Sequence, residues 1–373
     1  MSERARRPAW RSLSLPRRIL RVALCVLLAL VLVVAAYVAY VFLDYHRIPD
    51  NTVLEVRNLT EELEPARVGE EYRAVTYNVG FGAYTPDYTF FMDGGESSWA
   101  ESKESVIATI QGAAETVEGL DADLILLEEI DLDATRSYHV DQDKLFSQVF
   151  EGYCSQLAID YDSPFLFYPF TQPHGKSLAA IGVYSRLPIT SALRRSLPIS
   201  QGFSKLVDLD RCYSVSRIPV ENGKELVVYA VHMSAYGNSE AVRDGQKRML
   251  QEDMAQEVAA GNYVICGGDF NHNLLAAEDE TDAESWAYPY PRSYLPEGMS
   301  FCLDLLTEQQ REALAPTTRN ADIPYDPEES LCLTIDGFII SDNIELVSYS
   351  TVDTQFAWSD HNPVQLTFRL LEG

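Results

Sequence analysis

The longest apolar run lies near the start of the chain. Val22 to Leu43 carries no charged side chain. As a helix rising ~1.5 Å per residue it would cross a ~30 Å hydrocarbon layer. Tyr37, Tyr40 and Tyr45 stand toward its far end, as interfacial aromatics do. After it the pattern breaks into short pieces. Tyr72–Asn78, Asp123–Glu129, Leu226–His232, Tyr263–Cys266 and Leu333–Ile340 are brief, apolar and rich in β-formers, which predicts buried strands. Leu157–Tyr161, Phe165–Tyr168, Ala179–Tyr184 and Cys212–Val220 read the same way, and Val364–Leu370 predicts a last strand. Within Ser102–Leu120 the residues Val106, Ile107, Ile110, Ala114 and Val117 recur at helical spacing. A second amphipathic helix is expected over Ser239–Ala259, stopped by Gly261, and a short one near Glu308–Leu314. Strand, helix and strand in succession mark an α/β unit. Residues 84–100 and 276–330 are polar and predict long loops.

Charge changes the picture at the N-terminus. Residues 1–43 hold seven Arg and one acid, while the 373-residue chain carries a net charge of -27, so the remainder stands at -33. The basic flank predicts a cytoplasmic N-terminus and an acidic body on the other side of the membrane. The competing reading is a signal peptide cleaved near Val34-Ala35-Ala36. The apolar run continues well past that site, so a retained anchor is preferred. The expected organisation is a basic tail (1–21), a transmembrane helix (22–43), a linker or first edge strand (44–71) and one folded domain (72–373). A body this acidic repels polyanions at long range, which argues against non-specific duplex binding. The six cysteines show no zinc spacing and read as buried free thiols. A single disulfide among Cys154, Cys212, Cys302 and Cys332 is the alternative outside the cytoplasm.

The candidate chemistry sits at strand ends. In Cys266-Gly267-Gly268-Asp269-Phe270-Asn271 the glycines let the backbone turn sharply or approach a ligand closely. Asp269 and Asn271, two apart, share a face and form a hard-oxygen pair suited to a divalent cation and a phosphoryl oxygen. Taken alone, Gly-Asp reads as a surface turn. It keeps company, however, with Asn78, Glu129, His232, Asp336, Asp360 and His361, each at or near another strand end. Asp336 lies between Ile335 and Phe338. A buried carboxylate there needs a partner, and His361 is a natural one.

The series Thr76-Tyr77-Asn78, Leu127-Glu128-Glu129, Val231-His232-Met233, Gly268-Asp269-Phe270-Asn271, Ile335-Asp336-Gly337-Phe338 and Ser359-Asp360-His361 resembles the DNase I-like endonuclease/exonuclease/phosphatase family, in the family's order. The resemblance runs from about Arg73 to Leu370. It implies a four-layer α/β/β/α sandwich and hydrolysis of a phosphoester with Mg²⁺ or Mn²⁺. It further implies Glu129 as principal metal ligand, with Asn78 and Asp360 completing that site. Asp269 would orient or deprotonate the attacking water, and Asn271 would hold a phosphoryl oxygen. His361, oriented by Asp336, would complete the acid/base and phosphate-binding set. His232 matches the position that contacts the phosphate or protonates the leaving oxygen. Glu128 stands where the family often has Gln, which adds a negative charge beside the metal position.

Substrate is less legible. His174, Lys176 and Arg211 are the candidate substrate-binding cations, with Lys205 and Arg217 further cations in the acidic body. The aromatic loop Tyr84–Phe91 either stacks on a base, touches a lipid headgroup or covers the core. The expectation is a membrane-anchored phosphoesterase acting on a small phosphoester or lipid headgroup. A surface nuclease and an inactive binding module of the same fold are the alternatives. No protein partner is inferred.

Overall fold

The structure is a computed structural model that describes residues 14–200, 210–234, 239–277 and 285–372. Lys205 and most of the basic tail lie outside the described residues. Residues Met1–His46 and Arg47–Gly373 form two compact units.

In the first unit, helix α1 (Leu15–Asp44) begins within the basic stretch, ahead of the apolar run. Pro16 explains the early start, because its missing N–H costs nothing in a helix's first turn. The most apolar window has a mean hydropathy of 3.0 and no buried residue. By length and composition α1 is a candidate membrane span.

The second unit holds two packed sheets. One is built, in spatial order, from β14 (Ile344–Thr351), β15 (Val364–Leu370), β2 (Glu71–Asn78), β3 (Leu124–Ala134), β5 (Ser177–Ser185) and β4 (Cys154–Asp162). The other runs β1 (Thr52–Val53), β6 (Ser191–Ser196), β7 (Cys212–Pro219), β8 (Glu225–His232), β9 (Tyr263–Asp269), β13 (Asp336–Ser341) and β10 (Met299–Phe301). A ribbon of β11 (Thr318–Arg319) and β12 (Cys332–Leu333) completes the strands among the described residues.

The alternation of each strand decides what lies where. Leu124, Leu126, Ile181 and Val183 face Leu226, Val228, Ile265 and Phe338 in the layer between the sheets. Each such side chain, fully buried, contributes about 1.5–3 kcal/mol. Val75, Tyr77, Ile125 and Leu127 point the other way, onto α2 (Lys103–Glu118) and α3 (Gln142–Val149). Tyr213, Tyr229 and Val264 meet Leu250 and Met254 of α4 (Glu240–Ala259) on the opposite outer face. The order is therefore helix, sheet, sheet, helix. Ser102, Asp141 and Ser239 cap these helices by accepting from backbone N–H groups of the first turn. The short α5 (Glu308–Glu312) carries a full capping box of Thr307 and Gln310.

Some expectations change. Phe165–Tyr168 is a loop with a single bridge from Leu166 to Gly175 rather than a strand. Of the two readings of residues 44–71, the edge strand is the one found at Thr52 and Val53, which pair with β6. The free thiols expected are found at Cys154, Cys212, Cys266 and Cys302, which are buried, and at Cys332, which is half-buried. Gly267 and Gly268 do not turn the chain, since β9 runs through both to Asp269. Their role is close approach of protein to protein. A Cβ on Gly267 would stand 2.4 Å from the Phe338 ring, and one on Gly268 would stand 2.0 Å from the Val231 carbonyl oxygen.

Candidate active site

Strand register brings the polar strand ends together. In the parallel pair β8–β9, His232 lies opposite Asp269, and in the antiparallel pair β9–β13 Asp269 lies opposite Asp336. In the other sheet Asn78 pairs with Glu128 across β2 and β3. A bulge in β3 between Leu127 and Ile130 then re-aims the chain, and Glu129 takes a left-handed backbone with φ 59°. The bulge separates two adjacent acids. Glu128 is fully buried, while the Glu129 side chain keeps 24% of its surface and lines the cavity.

Asp269 lies at the centre. Its Oδ2 accepts from Asn78 Nδ2 at 3.1 Å and from Asn271 Nδ2 at 3.2 Å. Its Oδ1 accepts from the Asn271 backbone N–H at 2.8 Å. Asn271 is thus brought to Asp269 by an Asx turn with φ 50°, not by strand alternation. His232 Nε2 and His361 Nε2 stand 3.7 and 4.0 Å from the same Asp269 Oδ2. Behind each imidazole is another buried carboxylate: Asp160 Oδ2 lies 3.1 Å from His232 Nδ1, and Asp336 Oδ2 lies 2.9 Å from His361 Nδ1. Glu129 Oε1 lies 3.7 Å from His232 Nε2. Asp360, next to His361, faces the same cavity, whose volume is about 200 Å³.

The electrostatics follow from crowding acids in a buried place. Burial disfavours the His361 imidazolium, yet Asp336 and Asp360 outweigh it and raise its pKa well above the ordinary value. Burial, with the Glu129 charge adding to it and His361 opposing, pushes Asp360 up to about 7. For Glu128, burial and the charges of Asp336 and Asp269 raise the pKa well above the carboxylate range. Burial thus favours its neutral acid, against the hydrogen bond that Thr76 Oγ1 donates to its Oε1 at 3.0 Å. It works likewise against the extra negative charge expected of Glu128.

Glu128 gives a stability prediction. Its folded pKa lies above its unfolded one, so its contribution is intact below the unfolded pKa and is lost as pH rises toward the folded value. Glu128→Gln removes that cost. The variant is expected to melt above the parent at neutral pH by the equivalent of about 1–3 kcal/mol. Thermal denaturation across pH should show the gap closing near pH ~4. A gap that does not change with pH would refute the neutral-acid assignment.

Residues 75–361 match the sequence model of the endonuclease/exonuclease/phosphatase family. The chain belongs to that family. No curated protein matches it. Solved structures that share the fold include three with the following likeness. An endonuclease/exonuclease/phosphatase from Beutenbergia cavernae is 18% identical, covers 81% of this chain and 72% of its own, and superposes with a TM-score of 0.54. An endonuclease/exonuclease/phosphatase from Bacteroides vulgatus is 14% identical over 81% of this chain and 99% of its own, with a TM-score of 0.52. The catalytic domain of human Nocturnin, with a bound sulfate anion, is 14% identical over 85% of this chain and 97% of its own, also at 0.52.

Within this endonuclease/exonuclease/phosphatase chain the cation candidates divide. Arg211 lines the cavity, is buried, and keeps Nε and Nη1 without a hydrogen-bond partner. His174 also lines it but is no cation, because burial and nearby Arg136 depress its pKa to about 3. Lys176 points out: Ser177 beside it is buried and Lys176 itself is exposed, as strand alternation requires. Arg217 is occupied by Glu225 at 2.6 Å and by Glu257. Sequence reasoning missed Asp160, whose only signal was an acid inside the apolar run Leu157–Tyr161. It also missed Arg136, which pairs with buried Asp131 at 2.8 Å and stacks 3.8 Å over Phe81, and Arg319 in the cavity wall.

Proposed function

We propose that the chain is a divalent-metal-dependent phosphoric ester hydrolase, held in a membrane by α1 with its body outside the cytoplasm. The observation that carries the chemistry is one carboxylate, Asp269, faced at 3.7 and 4.0 Å by two imidazoles, each backed by its own carboxylate. Phosphoester hydrolysis asks a protein for positioning and charge stabilisation rather than a covalent nucleophile. This arrangement offers both. The basic flank and the length of α1 support the anchor and its orientation.

The donor set fits a hard dication. Glu129, Asp360 and Asn78 offer oxygen, and the carboxylates converging here outnumber the imidazoles, which leaves negative charge to neutralise. These three residues would hold Mg²⁺, or Mn²⁺ in its place, and the ion would supply Lewis-acid stabilisation of the phosphoryl oxygens. Asp269 orients the attacking water and takes its proton. Asn271, whose Nδ2 donates to the Met233 carbonyl at 2.8 Å and to Asp269 Oδ2 at 3.2 Å, would hold a phosphoryl oxygen by turning its second N–H from Asp269 toward it. His361, its imidazolium favoured by Asp336 and Asp360, donates to another phosphoryl oxygen. His232, oriented by Asp160, passes a proton to the leaving oxygen. Arg211 supplies a buried cation for an anionic group of the substrate. The -33 body favours a small phosphoester or a lipid headgroup over nucleic acid.

The test is turnover by the full chain in detergent on an aryl phosphodiester, plasmid DNA, sphingomyelin and inositol phosphates. Turnover should vanish with EDTA and return with Mg²⁺ or Mn²⁺. Asp360, titrating at about 7, must lose its proton to ligate. Apparent metal affinity should therefore fall as pH drops, approaching tenfold per unit below about pH 7. Turnover that survives EDTA would overturn the metal-dependent reading. Absence of both turnover and calorimetric Mn²⁺ binding would turn the reading to a binding module.

A further inference from the structure

The loop between β4 and β5 is firmly held at its base. Leu166 and Gly175 exchange backbone hydrogen bonds at 2.9 and 3.0 Å, and Trp99 Nε1 donates to the Pro173 carbonyl at 2.7 Å. Gln172 Oε1 accepts from the backbone N–H groups of Ser98 and Trp99 at 2.9 and 3.3 Å. The outer part of the loop nevertheless presents rings to solvent. Phe170 is 85% exposed, Tyr168 64% and Phe167 50%, with Met92 at 57% on the adjoining loop. A fixed loop that holds out several large apolar side chains marks a surface for something apolar.

The rings are continuous with the catalytic cavity. Phe170 meets Tyr168 at 5.9 Å, Tyr168 meets Phe91 at 5.9 Å, and Phe91 meets Phe90 at 4.9 Å and His174 at 6.2 Å. Phe90, Met92 and His174 are part of the cavity wall. An apolar path therefore runs from the exposed tip to the proposed chemistry.

Charge narrows the occupant. Residues 163–175 contain no Asp, Glu, Lys or Arg, and Lys176 at the base of the loop is its single cation, so the loop offers little pull on an anionic surface. Asp93 and Glu96 on the adjoining loop, and the -33 body as a whole, repel one. Phe and Tyr are at home in the interfacial zone of a bilayer. The same chain carries α1, a helix able to cross that bilayer. We infer that Phe167, Tyr168 and Phe170 form a lip that dips into a neutral or zwitterionic lipid surface, and that the cavity takes its phosphoester from that surface. The substrate half of this inference rests on the hydrolase reading above. The docking half does not.

The full chain would be placed in nanodiscs of phosphatidylcholine with either plain or brominated acyl chains. Tryptophan fluorescence would be compared for the parent, Phe170→Trp, and Val347→Trp on the exposed face of β14. The lip requires that the added Phe170→Trp signal be quenched by bromine and the added Val347→Trp signal be spared. An unquenched Phe170→Trp overturns docking whatever the activity. Dimers seen in light scattering and lost in F167S/Y168S/F170S would overturn it too, by assigning the lip to a second copy. The triple variant should keep aryl phosphodiester turnover within twofold of the parent. It should lose at least tenfold on whichever phospholipid of the same disc the parent hydrolyses. Equal loss on both substrates, or no phospholipid turnover by an active parent, would overturn the substrate half. An inactive parent with a quenched Phe170→Trp would reject the hydrolase reading, and the substrate half with it, while leaving the docking half standing.

Discussion

Replacing His361 by alanine is expected to lower kcat on an aryl phosphodiester about 10³-fold. KM should change by no more than a few-fold. The imidazole faces Asp269 at 4.0 Å and is buried against Asp336, so what it offers a transition state is a proton donor already in place. Asp336→Asn is expected to weaken the same step by roughly 10²-fold or more, since an orienting carboxylate fixes both tautomer and ring. The two losses should not add. Once His361 is gone Asp336 has nothing left to orient, and the double variant should resemble His361→Ala alone.

The pH profile separates this account from simple damage. Burial alone would drive His361 to the neutral form, and Asp336 together with Asp360 reverses that. With Asp336→Asn the largest of the charges that oppose burial is removed, so the His361 pKa falls. If the imidazolium is the active form, the alkaline limb of kcat must then move toward lower pH. A uniform drop with an unmoved limb would leave Asp336 a packing role only. A His361→Ala variant that keeps full kcat would remove His361 from the chemistry altogether.

Much of this centre was legible because its residues sit where hydrophobic runs stop. Asn78, His232 and Asp269 each end a strand whose apolar residues announce it. Asp336 stood out as an acid among Ile and Phe, and its pairing with His361 follows from the cost of burying a charge alone. Asp160 has the same chemistry but was overlooked, since one acid near the end of a short apolar run gives no sign of which face it occupies. The bulge that parts Glu128 from Glu129 was also out of reach. Two adjacent acids look alike in sequence, and only pairing register buries one, with its pKa raised, while the other faces the cavity. Helix α3 went unseen because its polar positions outweigh Phe146, its one fully buried apolar side chain. His174 looked like a cation because its charge depends on burial that no local pattern reveals.

Gly268→Ala is expected to be the most damaging single change to the fold, at more than about 3 kcal/mol. Gly268 has φ 143°, a backbone that side-chain-bearing residues rarely adopt, and it sits inside β9 directly opposite Val231 of β8. The new Cβ would lie 2.0 Å from the Val231 carbonyl oxygen and 2.9 Å from the Val231 backbone nitrogen. No rotamer change relieves a clash with backbone, so the strands must part or the chain must rotate. Gly223→Ala is the control. It too has a positive φ, 82°, but nothing lies within 4 Å of its added Cβ, so it isolates the conformational cost of about 1–2 kcal/mol. Soluble yield and thermal midpoint should separate the pair clearly. The consequence reaches the chemistry as well. The next register pair along is His232 with Asp269, so any parting of β8 from β9 at Gly268 opens the 3.7 Å approach of His232 Nε2 to Asp269 Oδ2. A Gly268→Ala protein recovered in folded form should therefore still be impaired in turnover. Full activity in such a protein would show that the spacing of these two residues is not what the reaction depends on.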